Sequence, residues 1–176
     1  MISAVKRRFR STVGSLIILA AVAAVGCGKS AEEAAEEAAE GAIERQSGGE
    51  VQADISGERM TIKTREGELA IDPDGGLELP QIVPPDLPIL PGARVVMSAR
   101  QAGSLMLELE TDDAKSRVVE AYQSEMKAKG WNETASVRTA EIDSLQYEKG
   151  EGREASVSVR TEAGRTRVVL VVTTEP

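Results

Sequence analysis

Apolar and polar residues alternate through much of this chain, and the places where the alternation stops mark its elements. Val51, Ala53 and Ile55 take turns with polar neighbours, as do Met60, Ile62 and Thr64 and then Leu69 and Ile71. Ser56-Gly57, Glu66-Gly67 and Asp74-Gly75-Gly76 fall between these runs, which predicts a small antiparallel β meander over 51–79. So short a meander buries too little to fold alone and is expected to dock on something. Five prolines (Pro80, Pro84, Pro85, Pro88 and Pro91) then force extended backbone over 80–92. The aliphatic residues among them, Ile82, Val83, Leu87, Ile89 and Leu90, predict a strap pressed against the folded body, not a solvated spacer.

The longest patterned stretch, 93–176, reads as an α+β domain. Arg94–Ala99 and Ser104–Glu110 form a hairpin across Gln101-Ala102-Gly103, with Leu105, Leu107 and Leu109 on one face. The period then changes to that of a helix. Thr111-Asp112-Asp113 are expected to supply N-cap oxygens, and Val118, Val119, Tyr122 and Met126 recur at helical spacing up to about Lys129. Gly130 suits a left-handed cap, and Trp131 is placed to fold back on the last turn. Four strands follow at about 133–138, 144–148, 154–160 and 166–173, the last apolar on both faces over Arg167–Val172. A strand buried on both sides needs cover on both sides, so the meander or the strap is expected opposite the helix. The expected fold class is α+β: an antiparallel sheet with one long helix packed on one face, preceded by the meander and the proline-rich strap.

Ahead of the meander, residues 27–50 are acidic and alanine-rich. Alanines at 31, 34, 35, 38, 39 and 42 keep helical spacing, and glutamates fill the opposite face. Glu32/Glu36/Glu40 and Glu33/Glu37 set like charges four apart, each pair destabilising an isolated helix by a few tenths of a kcal/mol. The segment reads as a frayed, solvated tether that holds the domain off its support, ending in the linker Gln46-Ser47-Gly48-Gly49-Glu50. A sharper reading is an Ala-faced helix that pairs with another chain.

The first 26 residues have another pattern. A basic start (Lys6, Arg7, Arg8, Arg10) leads into the apolar run Val13–Val25, then Gly26 and the single cysteine, Cys27. This layout resembles a bacterial lipoprotein signal peptide, with residues 1–26 removed and Cys27 lipidated. The resemblance implies a membrane partner reached through an N-terminal lipid anchor. With no Asp at position 28, it also implies the outer membrane, on its periplasmic side or surface, where there are two membranes. With one membrane, it implies the outer face of the plasma membrane. Gly28-Lys29-Ser30 imitates the end of a phosphate-binding loop, but Ala23 stands where that loop needs its first glycine.

A second likeness runs over roughly 51–135. Leu79-Pro80, Pro88, Pro91-Gly92-Ala93-Arg94-Val95, Thr111-Asp112-Asp113, Tyr122 and Gly130-Trp131 stand in an order that resembles a group of uncharacterised bacterial envelope proteins. The resemblance implies an α+β lipoprotein domain and carries no functional residues over.

Composition narrows the chemistry. Formal charge is −8, and it becomes −12 once Lys6, Arg7, Arg8 and Arg10 are removed. Such a field repels nucleic acid and anionic headgroups. There is no histidine, the commonest general base and transition-metal ligand. With Cys27 acylated, no thiol is left for nucleophilic or redox work. Asp72-Pro73-Asp74-Gly75-Gly76 looks like the opening of a calcium loop, but Gly76 and Val83 hold the places of its later ligands, and a β-turn explains all five residues. Capping accounts for Asp112 and Asp113. Tyr122, Trp131 and Tyr147 are read as core rings instead of a pocket lining. Arg153, Arg160, Arg165 and Arg167 are expected to pair with neighbouring glutamates instead of an anionic partner.

No catalytic residue, metal site or cofactor site emerges from these patterns, and Cys27 is the one assigned site. The expected function is that of a non-enzymatic binding, adaptor or assembly module of the cell envelope, with a protein partner there. The alternative is an envelope hydrolase or transferase that works through carboxylates without histidine.

Overall fold

The strands join into one continuous sheet. The computed structural model describes residues 30–150 and 152–173, so residues 1–26 and Cys27 lie outside the described residues. In chain order the elements are α1 (Ala31–Gln46), β1 (Gln52–Ser56), β2 (Arg59–Lys63), β3 (Gly67–Ile71), β4 (Arg94–Gln101), β5 (Ser104–Thr111) and α2 (Lys115–Ala128), then β6 (Asn132–Arg138), β7 (Ile142–Lys149), β8 (Arg153–Glu162) and β9 (Arg165–Thr173). The nine strands are ordered β1-β2-β3-β4-β5-β9-β8-β7-β6, with every neighbouring pair antiparallel. Two meanders, β1 to β5 and β6 to β9, are sewn together where β9 pairs with β5.

The expected architecture is corrected on two counts. The meander is not a separate unit docked on the sheet but its first three strands, since β3 pairs with β4 over five residues from Gly67↔Gln101 to Ile71↔Met97. Pairing in plane satisfies the backbone groups of both strands, which stacking would leave open. A close approach helps: a Cβ on Gly67 would lie 2.0 Å from the Arg100 carbonyl oxygen. The second correction is that two short helices, not one long one, accompany the sheet.

Across β5, β9, β8 and β7 the register stacks the core in rows. Leu109, Val168 and Val159 form one row, Leu107, Leu170, Val157 and Leu145 the next, and Leu105, Val172, Ala155 and Tyr147 the third. The inward face of α2 (Val118, Val119, Tyr122, Met126) joins these rows in a single buried cluster. The chain leaves α2 through Gly130 at φ 83°, and the Trp131 N–H donates to the Met126 carbonyl at 2.9 Å. In β1 to β4 the apolar side changes. Ala53, Ile62, Leu69 and Ala99 align on the face opposite α2, as do Ile55, Met60, Ile71 and Met97.

Helix α1 is not a frayed tether. Ser30 and Glu33 form a reciprocal capping box at its start. The helix lies along β1, where Glu40 Oε1 accepts from the Ile55 N–H and Glu36 Oε1 from the Gly57 N–H, each at 2.5 Å. Four helical residues rise about 6 Å and two strand residues about 6.6 Å, so alternate edge amides meet glutamates one turn apart. The like charges that weaken an isolated helix thus serve to cover an open sheet edge. Replacing Glu36 and Glu40 together by alanine should speed hydrogen exchange at the Ile55 and Gly57 amides while the β7–β9 amides stay protected. Unchanged exchange at 55 and 57 would mean that the carboxylates do not hold the helix.

Candidate binding groove

Residues 72–93 carry the chain from β3 to β4 by a long detour, tied down at both ends. At the first tie, Arg59 donates to Asp72 Oδ2 from Nε (3.0 Å) and from Nη2 (2.7 Å), and Asp72 Oδ1 accepts from the Asp74 N–H at 3.0 Å. Arg59 holds the Asp72 carboxyl below its ordinary range, against a smaller opposing effect of desolvation. Leu77 then bridges to Val95.

At the second tie, the Asp86 carboxylate accepts from Lys149 Nζ (2.6 Å) and from Arg153 Nη1 (2.8 Å) and Nη2 (3.1 Å). Trp131 Nε1 donates to the Asp86 carbonyl and Lys129 Nζ to the Pro85 carbonyl, each at 2.9 Å. The Lys149 and Arg153 cations sit 5.8 and 5.0 Å from the Trp131 ring centre. Leu87 and Leu90, on either side of Pro88, are buried in the core.

Between the two ties Leu77 and Val83 pack against the core, and the residues between them lift away from it. Leu79 and Ile82 are 42% and 43% exposed, so the strap is pressed down as expected only from Val83 onward. Beneath it runs a groove of about 380 Å³ lined by Pro80, Gln81 and Ile82 on the strap and by Glu68, Ser98, Arg100 and Leu105 on β3, β4 and β5. Its floor is the aliphatic Leu105, and Glu68 and Arg100 face each other across β3 and β4. Four of its seven lining residues are polar or charged and three are apolar, so the groove offers mixed contacts with one charge of each sign, which suits an extended segment carrying both apolar and polar side chains.

The other candidate residues are spread over the fold. The Asp72 carboxylate is engaged inside its turn, as described. Asp112 and Asp113 do not cap α2: the N-cap is Ala114, which has no side-chain oxygen, and Asp112 lies 3.8 Å from Arg165 instead. The helix begins later than the polar triplet because Thr111 completes β5 and its Oγ1 accepts from the Asp113 N–H. Arg160, Arg165 and Arg167 converge, with Arg94, on Glu108 and Glu110, while Arg153 belongs to the strap tie. Tyr122 and Tyr147 are core rings. Burial raises the Tyr122 phenol well above its ordinary value, against a smaller influence of the Leu90 backbone, and pushes Tyr147 up to about 12 with help from Glu133. No cluster of three or more potential metal-ligating side chains occurs among the described residues.

Sequence reasoning missed Asp86. Its signal was present, since it is the only charged residue from Pro80 to Ala93, in a stretch otherwise apolar or proline. A lone acid in an apolar strap needs a cationic partner where it docks.

No curated protein and no solved structure matches the chain. Residues 94–166 match a family model described as START domain-like. That span runs from the first residue of β4, through β5, α2 and β6 to β8, into β9, and is less than half of the chain. The likeness points to a binding module.

Proposed function

We propose that this chain is a membrane-anchored bacterial lipoprotein that works as a non-enzymatic binding module of the cell envelope. Cys27 carries the lipid, and the groove beneath the strap takes an extended segment of an envelope protein that presents both apolar and polar side chains. The observation that carries the binding role is the exposed aliphatic side chain of Ile82, held on the strap across the groove from Leu105 between two fixed ties, with Leu79 exposed close by in the chain. The START domain-like likeness supports the same class of function. The capped and docked α1 changes the expected geometry of display. Ser30 is only three residues from Cys27, so at about 3.3–3.6 Å per residue the start of α1 stays within roughly 10 Å of the anchor.

Three measurements on the full chain test this, the first two in its own membranes. Cys27→Ser should release the protein or leave it uncleaved, because lipid chains contribute about 0.8 kcal/mol per buried CH₂. Unchanged size with full membrane retention would overturn the anchor. A photo-crosslinking residue at position 82 should give a discrete protein adduct that one at position 58 does not. Equal labelling from both positions would remove the groove as the binding site. Turnover of an envelope substrate, abolished by one carboxylate substitution, would replace the reading with that of a hydrolase or transferase.

A further inference from the structure

The two edges of the sheet are treated differently. The β1 edge is covered by α1, whereas all seven residues of β6 are exposed and no strand lies beyond it among the described residues. The strand carries no proline or lysine, and Val137, at 60% exposure, is the most exposed large aliphatic residue among the described residues. Its two charges stand at opposite ends. A bulge at Thr134 sets their faces: along β7, Glu133 lies opposite Tyr147, Ala135 opposite Gln146, Ser136 opposite Leu145, Val137 opposite Ser144 and Arg138 opposite Asp143. Glu133, Ser136 and Arg138 therefore share the face toward α2, and Ala135 and Val137 share the other. Without the bulge, residues 133 and 138 would point to opposite faces. Gln123 of α2 holds both charged groups, donating to Glu133 at 2.9 Å and accepting from Arg138 at 2.8 Å.

Read with the bulge residue set aside, the strand is acid, apolar, hydroxyl, apolar, base. That order is complementary to itself when reversed. We infer that β6 pairs antiparallel with β6 of a second copy, about a twofold axis through Ser136. Glu133 then faces the partner's Arg138, twice by symmetry, and Ala135 covers the partner's Val137. An isologous contact uses the same patch on both copies, and this strand supplies both halves of the charge pattern that a different protein would have to match. The two sheets become one across the axis.

Sedimentation of the full chain in detergent, with wild type and charge-reversed forms compared, tests the pairing. Glu133→Arg alone and Arg138→Glu alone should each lower the dimer fraction at least about tenfold, since each sets like charges opposite one another at both ends. The two together should restore the dimer. Both sites are exposed, and circular dichroism checks that each variant folds. Ser136→Cys places a thiol on the axis and should give a disulfide-linked dimer on oxidation, whereas Glu141→Cys at the hairpin tip should not. A wild type that stays monomeric, a dimer indifferent to both reversals, or reversals that are not rescued by their combination would each overturn the inference.

Discussion

Tyr122→Asp should abolish cooperative folding. The ring is fully buried under α2, in the same cluster as Leu107, Val157 and Leu170. Replacing it removes a large aromatic from a packed site, which typically costs about 3–5 kcal/mol. A carboxyl must then be buried without a partner or be protonated, at a further cost of several kcal/mol. Together these approach the whole stability of a typical domain, about 5–15 kcal/mol. Tyr122→Phe separates the two parts of the side chain. The hydroxyl is enclosed beside the Leu90 backbone but makes no hydrogen bond of good geometry, so its removal should change stability by no more than about 1 kcal/mol in either direction. Urea denaturation followed by circular dichroism checks both variants. A cooperative transition of near-native midpoint in Tyr122→Asp would show that α2 does not cover the core. A loss above about 1.5 kcal/mol in Tyr122→Phe would show that the hydroxyl has a partner.

The inner face of α2 was legible because it depends on local spacing: residues 118, 119, 122 and 126 fall on one side of any helix, and Gly130 ends it. Sheet order was not legible. Nothing within residues 51–71 distinguishes a meander stacked on a sheet from one that extends it, since both need the same alternation. What decides is the free edge of β4, far along the chain. The same ambiguity misplaced the cover for β9, whose outward Val169 and Val171 lie beside Glu108 and Met106 in a sheet that continues past them. The N-cap of α2 was misassigned because three polar residues before a helix look alike, and which of them stays in β5 depends on pairing with β9. Conversely, Ser30 and Glu33 carry the spacing of a capping box, a local helix signal outweighed in the tether reading by the like-charged glutamates that follow. The docking of Glu36 and Glu40 needs a partner strand for its meaning, so charge pattern alone read as repulsion. At the groove, aliphatic content foretold contact for the whole strap. The exposure of Leu79 and Ile82 follows from where Asp72 and Asp86 fix its ends.

Asp86→Ala is expected to loosen the strap at its second tie and destabilise the fold by about 2 kcal/mol. Hydrogen bonds to charged groups contribute about 1.5–3 kcal/mol where they are sheltered, and water screens part of that here because the Asp86 side chain keeps 22% exposure. The substitution also removes the anion that lies between Lys149 and Arg153, whose cations share the Trp131 ring. The pH dependence identifies the cause. Arg153 above all, then Lys149, holds the Asp86 carboxyl well below the usual carboxylate range, against desolvation. Its proton affinity is therefore lower in the folded than in the unfolded protein, where aspartate titrates near about 3.9. The stability it contributes is complete above that value and is lost as pH falls below it. The difference in unfolding free energy between wild type and Asp86→Ala should thus stay level from neutral pH to about 5 and shrink progressively below about 4. Trp131 fluorescence reports the tie directly, because the indole N–H donates to the backbone of the same residue. If the gap between the two proteins is as wide at the acid end as at neutrality, the carboxylate is not what fastens the strap, and the buried Leu87 and Leu90 hold it alone.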